Sequence, residues 1–299
     1  MKKKPLIVIV GPTASGKSDT AVEIALLFDG EVVSADSRQV YAKLDIGSGK
    51  ISKEEMKGVP HHLLDVADAK KRFSVYDFKT LAEKAIQDIS QRGKIPILCG
   101  GTGFYINAVV DNLCLPEVPP NQKLRDELSK KTLDELFDLL QKKDPRRAEE
   151  IDRNNPARLL RALEIVESEG LIPQIKKNAS PYNTLLIGLD PDRENLKLRI
   201  KKRLEDRLKI GMVEEVEKLH QNGLNWQRLE ELGLEYQYLA EYLQDKISFS
   251  EMKNFIEKKS IQYAKRQMTW FKRDDRIKWF KLKENEEIKN EVSSFLSKS

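Results

Sequence analysis

An eight-residue segment near the start of the chain restricts the fold more than any other feature of the sequence. Residues 11–18 read Gly-Pro-Thr-Ala-Ser-Gly-Lys-Ser and match the whole pattern G-x-x-x-x-G-K-[ST]. The apolar residues 6–10 before it predict a strand buried on both faces, and residues 18–28 after it predict a helix. A strand, a glycine-rich loop and a helix in this order form a P-loop, whose backbone N–H groups and helix N-terminus bind phosphate.

The side chains of this loop have separate tasks in phosphate chemistry. The Lys17 ammonium group would pair with the terminal phosphates, and the Ser18 hydroxyl would bind Mg²⁺. Asp36 ends the next predicted strand, where P-loop enzymes often carry a carboxylate. Its position suits a magnesium ligand, a base beside the phosphate pocket or a turn cap, and spacing does not separate these roles. The predicted diphosphate or nucleotide site comprises Gly11, Pro12, Thr13, Ala14, Ser15, Gly16, Lys17 and Ser18.

Strands and helices alternate through much of the chain. Residues 74–91 predict an amphipathic helix that begins with a capping box formed by Ser74 and Asp77. From residue 195 onward, nearly all of the sequence predicts helix. The alternation favours an α/β fold, a P-loop NTPase-like parallel sheet flanked by helices. The buried strands are predicted at 6–10, 31–35, 95–99 and 185–189.

A helical insertion interrupts the alternating pattern. Three prolines between residues 116 and 120 break the chain, and no strand pattern occurs before residue 181. We therefore predict a core formed by residues 1–114 and 182–299, with a helical C-terminal part, and an all-helical insertion domain at 115–181. Within the insertion, helices are predicted at 122–130, 133–142, 146–151 and 155–169.

Composition excludes several classes of protein. With 39% hydrophobic and 34% charged residues, the chain is too apolar to be disordered, and no run approaches the ~20 apolar residues that span a bilayer. The apolar run at 6–10 is shorter than the hydrophobic region of a signal peptide, and two cysteines cannot build a disulfide framework. We expect a cytoplasmic monomer that has no membrane partner.

Positive charge is concentrated in the C-terminal third of the chain. The net charge is only +5, from 53 basic and 48 acidic residues. Residues 258–283 hold ten Lys or Arg and two Asp, and residues 197–209 hold seven basic and two acidic residues. A polyanionic partner would contact these segments, although a solvated helix face accounts for the same pattern.

A second glycine cluster follows the strand predicted at 95–99. Residues 100–105 read Gly-Gly-Thr-Gly-Phe-Tyr and stand at the carboxyl end of a parallel strand, where α/β sheets bind ligands. The cluster predicts either a close approach of the backbone to another group or a simple tight turn.

Further motifs occur throughout the chain. Arg199, Ile200 and Arg203 form the pattern R-I-x-x-R. The other segments are 36–41 (D-S-R-Q-V-Y), 45–50 (D-I-G-S-G-K), 60–65 (P-H-H-L-L-D), 100–105 (G-G-T-G-F-Y), 158–164 (R-L-L-R-A-L-E) and 263–271 (Y-A-K-R-Q-M-T-W-F). Together with the P-loop, these motifs resemble those of the bacterial tRNA dimethylallyltransferases, also called isopentenyltransferases. They keep the family's order over nearly the whole chain, so the resemblance is highly specific.

One segment departs from the family pattern. The family usually has Gly-Tyr followed by Arg or Lys, whereas residues 232–238 read Leu-Gly-Leu-Glu-Tyr-Gln-Tyr. Glu235 therefore stands where a basic residue is expected. This departure weakens the expectation of an RNA contact at the segment and leaves the chemistry unaffected.

The resemblance implies transfer of a dimethylallyl group from dimethylallyl diphosphate to the N6 amine of adenosine 37, just 3′ of the anticodon, in tRNAs that read codons starting with U. The donor, not ATP, would occupy the P-loop, with Lys17, Arg203 and Mg²⁺ on Ser18 stabilising the leaving diphosphate. Asp36 would be the general base, and Thr13 would orient it or a phosphate oxygen. The insertion domain would also contact tRNA. The implied tRNA-binding residues are Asp36, Ser37, Arg38, Gln39, Thr102, Arg125, Arg158, Arg161, Lys265 and Arg266.

Three other functions stay open at this point. A free adenine-nucleotide isopentenyltransferase of the cytokinin type would share the P-loop and Asp36, but it needs neither the insertion nor the basic C-terminal segment. A P-loop small-molecule kinase would bind and turn over ATP. A non-catalytic RNA-binding protein would not need Lys17, Ser18 and Asp36 together.

Overall fold

The computed structural model describes residues 3–174, 176–282 and 284–298. The chain divides into two compact units, a larger one of Met1–Asn112 with Ala179–Ser299 and a smaller one of Leu113–Asn178. The insertion predicted at 115–181 overlaps the smaller unit. Lys283, one of the basic residues of the 258–283 segment, lies outside the described residues, as do the outer bounds of the predicted core, residues 1 and 299.

A six-stranded sheet forms the centre of the larger unit, and all of its strand pairs are parallel, as predicted. The strands are β1 (Lys4–Val10), β2 (Gly30–Ser34), β3 (His61–His62), β4 (Ile95–Gly100), β5 (Tyr182–Leu189) and β6 (Lys278–Phe280). Their order across the sheet is β3-β2-β4-β1-β5-β6. The carboxyl ends of β2, β4 and β1 are therefore neighbours, and the loops that leave them meet at one edge.

The predicted helices are present with small shifts at their ends. The helix predicted at 74–91 is Val75–Gln91, and Ser74 and Asp77 form its capping box. Within the described part of the chain, we find no helix that is long and apolar enough to cross a membrane. The helices are α1 (Lys17–Leu27), α2 (Lys53–Met56), α3 (Val75–Gln91), α4 (Gly103–Val110), α5 (Gln122–Leu128), α6 (Leu133–Lys143), α7 (Pro145–Glu150), α8 (Pro156–Glu169), α9 (Arg193–Lys209), α10 (Met212–Gln221), α11 (Trp226–Glu231), α12 (Leu234–Leu243), α13 (Phe249–Phe271) and α14 (Asn285–Ser297).

Both faces of the sheet are buried, which explains the uninterrupted apolar run of β1. Leu6, Val8 and Val10 belong to one core cluster, which includes residues of α3 and α4. Ile7 and Ile9 belong to a second cluster, with residues of α1 and α14, because successive side chains of a strand point to opposite faces. Each of these fully buried side chains contributes ~1.5–3 kcal/mol of hydrophobic stabilisation, so the strand before the P-loop is firmly held.

A third core cluster supports the loop after β2. Val40 and Leu44 of this loop are fully buried against the helices α10 to α13. The same cluster contains Tyr236 of α12 and Met252 of α13. The helical C-terminal part of the chain thus fixes a loop that carries several predicted site residues.

In the smaller unit, α5–α8 share an apolar core, and a buried carboxylate joins two of these helices. Glu164 of α8 accepts hydrogen bonds from Arg125 Nε and Nη2 at 2.5 and 2.6 Å. Arg161 Nη1 donates to the same carboxylate at 3.3 Å, and Arg161 Nη2 donates to the Val118 carbonyl oxygen at 2.8 Å. Arg125 and Arg161 therefore stabilise the unit itself, and their predicted tRNA contacts stay a prediction.

A buried ion-pair cluster links β2 to Arg92, the residue that follows α3, and to β3. The Glu31 side chain is 3% exposed, accepts from Arg92 Nη2 at 2.7 Å and lies 2.7 Å from His62 Nε2. The hydrogen bond from Arg92 is the main cause of a Glu31 pKa lowered to about 2.

We expect Arg92→Ala to lower the free energy of unfolding by about 2–4 kcal/mol at neutral pH, because it leaves a buried carboxylate with His62 alone. Glu31→Gln should cost less, since the remaining Arg92 is 40% exposed and can be hydrated. A carboxyl group whose pKa is lowered in the folded protein stabilises the fold at a pH above its usual pKa of 4.5. This stabilisation is lost as the pH falls towards about 2, so the Arg92→Ala penalty should shrink over that interval. Urea unfolding across this pH range measures the penalty. A larger loss of unfolding free energy for Glu31→Gln than for Arg92→Ala would contradict the claim that Arg92 offsets the buried charge of Glu31.

Candidate active site

Three loops pack against one another where they leave β1, β2 and β4. Gly100 permits this approach, because a Cβ atom there would overlap the backbone of Ala35. Thr102 N donates to the Ala35 carbonyl oxygen at 3.3 Å, and Thr102 Oγ1 accepts from Ser37 N at 3.1 Å. The second glycine loop therefore directly supports the loop that carries Asp36.

A cavity of about 970 Å³ opens at this edge of the sheet. The P-loop and the loops after β2 and β4 form one side of it, and residues of α9 and α13 form the other. All four predicted catalytic residues, Thr13, Lys17, Asp36 and Arg203, line this one cavity. The fold thus brings together groups that are far apart in the sequence.

The Lys17 side chain folds back towards the start of the P-loop. Gly16, immediately before α1, has a φ of 86°, a left-handed conformation that glycine adopts without strain. Lys17 Nζ donates to the Pro12 carbonyl oxygen at 2.6 Å. Loss of water around the ammonium group is the main cause of a Lys17 pKa lowered to about 8, and the nearby Arg203 guanidinium also lowers it. A bound anion would counter both effects.

The donor set of the loop suits a phosphate group with a magnesium ion. Ser15 Oγ is buried and has no hydrogen-bond partner among the described residues. Those residues also contain no cluster of three or more His, Cys, Asp or Glu side chains that could hold a metal. Mg²⁺ needs no such cluster, since it takes one or two protein ligands and completes its coordination with phosphate oxygens and water. Ser18 lines the cavity, and its hydroxyl fits such an ion.

Asp36 is held in a fixed orientation by the turn that follows β2. Its Oδ1 accepts from Arg38 N at 2.8 Å and from Gln39 N at 3.4 Å. It therefore caps a turn, one of the roles that the sequence left open. Because the carboxylate also lines the cavity, the cap fixes its orientation there.

Hydrogen bonds around the loop after β2 involve Ser37, Gln39 and Thr102, which are predicted to bind tRNA. Gln39 Nε2 donates to the Gly49 carbonyl oxygen at 3.0 Å, and Gln39 Oε1 accepts from Ser34 Oγ at 3.3 Å. Ser37 N is bonded to Thr102 Oγ1. These bonds hold the loops in place, and contact of their side chains with the base stays a prediction.

A row of arginines on α9 faces the cavity. Arg199, Arg203 and Arg207 follow one another at intervals of four, so they share one helix face, and all three line the cavity. Arg203 Nη2 donates to Thr13 Oγ1. Burial is the main cause of the lowered pKa of both Arg203 and Arg207. The charge of 197–209 alone predicts a polyanionic partner or a solvated helix face, whereas the structure places these three guanidinium groups in the cavity beside the P-loop, on the side of the diphosphate role that the resemblance implies for Arg203.

A carboxylate that the sequence motifs do not identify holds the loop at 45–48. Glu215 of α10 accepts backbone hydrogen bonds from Asp45 N, Ile46 N and Gly47 N at 2.9, 2.6 and 3.0 Å. Tyr236 Oη donates to Glu215 Oε1 at 2.8 Å and accepts from Ser48 N at 3.1 Å. Because this loop lines the cavity, Glu215 determines the shape of one of its walls.

The segment that departs from the family pattern lies against the same wall. The Glu235 carboxylate lies 3.9 Å from Arg207 Nη1 and lessens the lowering of the Arg207 pKa that burial causes. The acidic residue thus partners an arginine of the cavity. This contact gives the departure a physical reason.

The remaining residues predicted to bind tRNA lie away from the cavity lining. Lys265 and Arg266 are exposed on α13, where the Arg266 guanidinium lies 5.8 Å from the centre of the Tyr263 ring. Arg158 is exposed on α8 of the smaller unit. Arg38 is half-buried and packs on Gly233, where a Cβ atom would come within 2.9 Å of its Nε.

The fold and the cavity define an α/β protein of the P-loop class. The sequence model described as IPP transferase matches residues 39–274. The tRNA dimethylallyltransferase of Anoxybacillus flavithermus is 38% identical over 296 residues, which cover 97% of this chain and 94% of that protein. The chain belongs to the IPP transferase family.

Solved structures of similar proteins agree with this assignment. The tRNA isopentenylpyrophosphate transferase from Bacillus halodurans matches with a TM-score of 0.75 and 37% identity, covering 99% of this chain and 98% of the other. A eukaryotic dimethylallyltransferase, captured acting on tRNA, matches with a TM-score of 0.76 and 28% identity, covering 93% of this chain and 74% of the other. The fold of nearly the whole chain is thus shared with both of these proteins.

Proposed function

We propose that this chain transfers the dimethylallyl group of dimethylallyl diphosphate to the N6 amine of adenosine 37 in tRNAs that read codons beginning with U. The observation that carries the proposal is the convergence of Lys17, Arg203 and Asp36 on one cavity. The two cations suit a diphosphate leaving group, and the carboxylate suits an amine that must lose a proton. Membership of the IPP transferase family supports the same chemistry.

The leaving group sets the first requirement of this reaction. The N6 lone pair forms a bond to C1 of the dimethylallyl group while the bond from C1 to the diphosphate oxygen breaks. Lys17, Arg203 and the P-loop N–H groups stabilise the charge that develops on that oxygen. Mg²⁺ beside Ser18 would neutralise further charge of the diphosphate. The hydrogen bond that Arg203 donates to the Thr13 hydroxyl keeps this hydroxyl next to the Arg203 guanidinium group.

The acceptor sets the second requirement. The N6 amine is a weak nucleophile because its lone pair is delocalised into the purine ring. Asp36 accepts the proton that N6 loses, a contribution of typically ~10²–10⁴-fold in rate. The turn N–H groups keep the carboxylate oriented for this step. The adenosine must also leave the stack of the anticodon loop, as in other enzymes that modify a base.

Transfer of radiolabelled dimethylallyl groups tests the proposal. The acceptors are an anticodon stem-loop with adenosine at position 37, the same stem-loop with guanosine there, and AMP. We expect label only in the first. Label in AMP but not in RNA would favour a free-nucleotide isopentenyltransferase, and phosphate transfer from ATP without prenyl transfer would favour a kinase. Either result would overturn the proposed function.

The exposed basic face of α13 supports a role in holding RNA. Lys265 and Arg266 are exposed there, and within the smaller unit Arg158 is exposed on α8. Contacts of this kind would position the tRNA through its phosphates, whereas the loops beside Asp36 would select the base.

We expect stem-loop binding to weaken linearly on a log–log plot against salt, with a slope of about −0.7 to −0.9 per phosphate contacted. Lys265→Ala and Arg266→Ala should each lower the affinity and flatten the slope by about one contact, without changing the preference for adenosine. Lys84→Ala, on the exposed surface of α3, is the matched control. An unchanged slope together with a lower Tm would mean that these two residues support the helix only.

A further inference from the structure

A buried glutamine on α13 contacts both glycine-rich loops. Gln267 is 6% exposed, although most of the neighbouring residues on this helix are exposed. It occupies the buried face of α13 with Ala264 and Phe271. A buried amide must satisfy its hydrogen-bonding groups, so its partners indicate what it is for.

The two ends of this amide bond to different loops. Gln267 Oε1 accepts from Thr13 N of the P-loop at 2.8 Å. Gln267 Nε2 donates to the Gly101 carbonyl oxygen of the second glycine loop at 2.9 Å. The Thr13 N–H needs an acceptor and the Gly101 carbonyl oxygen needs a donor. A glutamine side chain at this position of the helix supplies both.

The two loops that the amide joins are bonded to residues with different proposed roles, one at the leaving group and one at the general base. On one side, Thr13 Oγ1 accepts from Arg203, which lines the cavity and is assigned to the leaving diphosphate. On the other side, Gly101 precedes Thr102, whose Oγ1 accepts from Ser37 N beside Asp36. A short chain of hydrogen bonds therefore runs from the leaving-group side to the base side through Gln267.

The second glycine of the 100–103 loop is explained by the same contact. A Cβ atom on Gly101 would overlap Gln267 Nε2 and push the amide away from the loop. The glycine and the glutamine are thus matched to each other, across 166 positions in the sequence.

We propose that Gln267 is a positioning residue that sets the separation between the diphosphate-binding loop and the loop that supports the general base. The inference rests on the proposed function, because the two loops would hold the donor and the acceptor. Displacing reacting groups by about 1 Å lowers a rate ~10²-fold, so a small change in this separation has a large effect on turnover.

Two variants separate the polarity of the amide from its volume. Gln267→Glu keeps the shape but replaces the donor to Gly101 by an acceptor, and Gln267→Met keeps the length but removes both bonds. Gln262→Glu, on an exposed position of the same helix, is the matched control. For each variant we would measure kcat for transfer to the stem-loop, KM for the stem-loop, the Kd of inorganic pyrophosphate and the Tm.

We expect kcat to fall ~10²-fold in both variants, with the KM for the stem-loop within about threefold of wild type. The Kd of pyrophosphate should rise in both, most in Gln267→Glu, whose carboxylate would repel the anion. A fall in Tm with an unchanged kcat for the folded fraction would show a purely structural role and overturn the inference, as would an unchanged Kd for pyrophosphate in both variants. Absence of prenyl transfer by wild-type protein would instead overturn the proposed function, and the pyrophosphate measurement would still test the positioning of the P-loop.

Discussion

Asp36→Asn should lower kcat for dimethylallyl transfer by at least ~10²-fold and leave the Kd of the stem-loop nearly unchanged. The amide is close in shape to the carboxylate and can still accept from Arg38 N, so the turn after β2 should persist. It cannot take a proton from N6, however, and the loss should therefore appear in the chemical step. Single-turnover transfer and stem-loop binding by fluorescence anisotropy measure the two quantities separately.

Asp68→Asn is the matched control for this substitution. Asp68 Oδ1 also accepts from the backbone N–H two residues further on, Lys70 N at 2.9 Å, but Asp68 is absent from the cavity lining. We expect normal turnover for this variant. If Asp36→Asn retained more than about a tenth of the wild-type rate, Asp36 would be a turn cap and not the general base.

The sequence predicts the sheet well where its strands are long and buried. The run at 6–10 is apolar throughout because both faces of β1 are covered, and no surface alternation confuses the pattern. The edge strands β3 and β6 escape prediction for the opposite reason. They span only two and three residues, and they are half-buried or exposed, so they leave no periodic signal.

The candidate site is predictable only where a motif carries it. Lys17 and Ser18 follow from the P-loop pattern, but Glu215 and Gln267 act on backbone groups of distant loops, which sequence spacing does not reveal. The signal for Gln267 is its helical spacing from the buried apolar residues Ala264 and Phe271. The spacing of Arg199, Arg203 and Arg207 likewise identifies one helix face, although charge alone does not distinguish a diphosphate from RNA as its partner.

Lys17→Met should lower kcat/KM for the prenyl donor by ~10²–10³-fold, because it removes a cation from the leaving diphosphate. RNA affinity should stay nearly constant, since Lys17 lies in the P-loop and away from the basic face of α13. Arg203→Ala should act in the same direction and also release the Thr13 hydroxyl. Donor kinetics and stem-loop binding test this, and weaker stem-loop binding with normal donor kinetics would contradict both assignments.

The lowered pKa of Lys17 adds a pH dependence to this expectation. With a pKa of about 8 in the free protein, Lys17 loses its charge as the pH rises through 8, while a bound diphosphate favours the protonated form. Binding must then include uptake of one proton, so the affinity for pyrophosphate should fall ~10-fold for each pH unit above 8. Pyrophosphate also changes its own protonation in this range. Because Lys17→Met lacks the ammonium group, its pH profile gives the part of the pH dependence that comes from pyrophosphate alone. Calorimetry in buffers of different ionisation enthalpy counts the proton directly. Equal pH profiles for wild type and Lys17→Met would show that the lysine is charged throughout, and that burial in the P-loop does not govern its protonation.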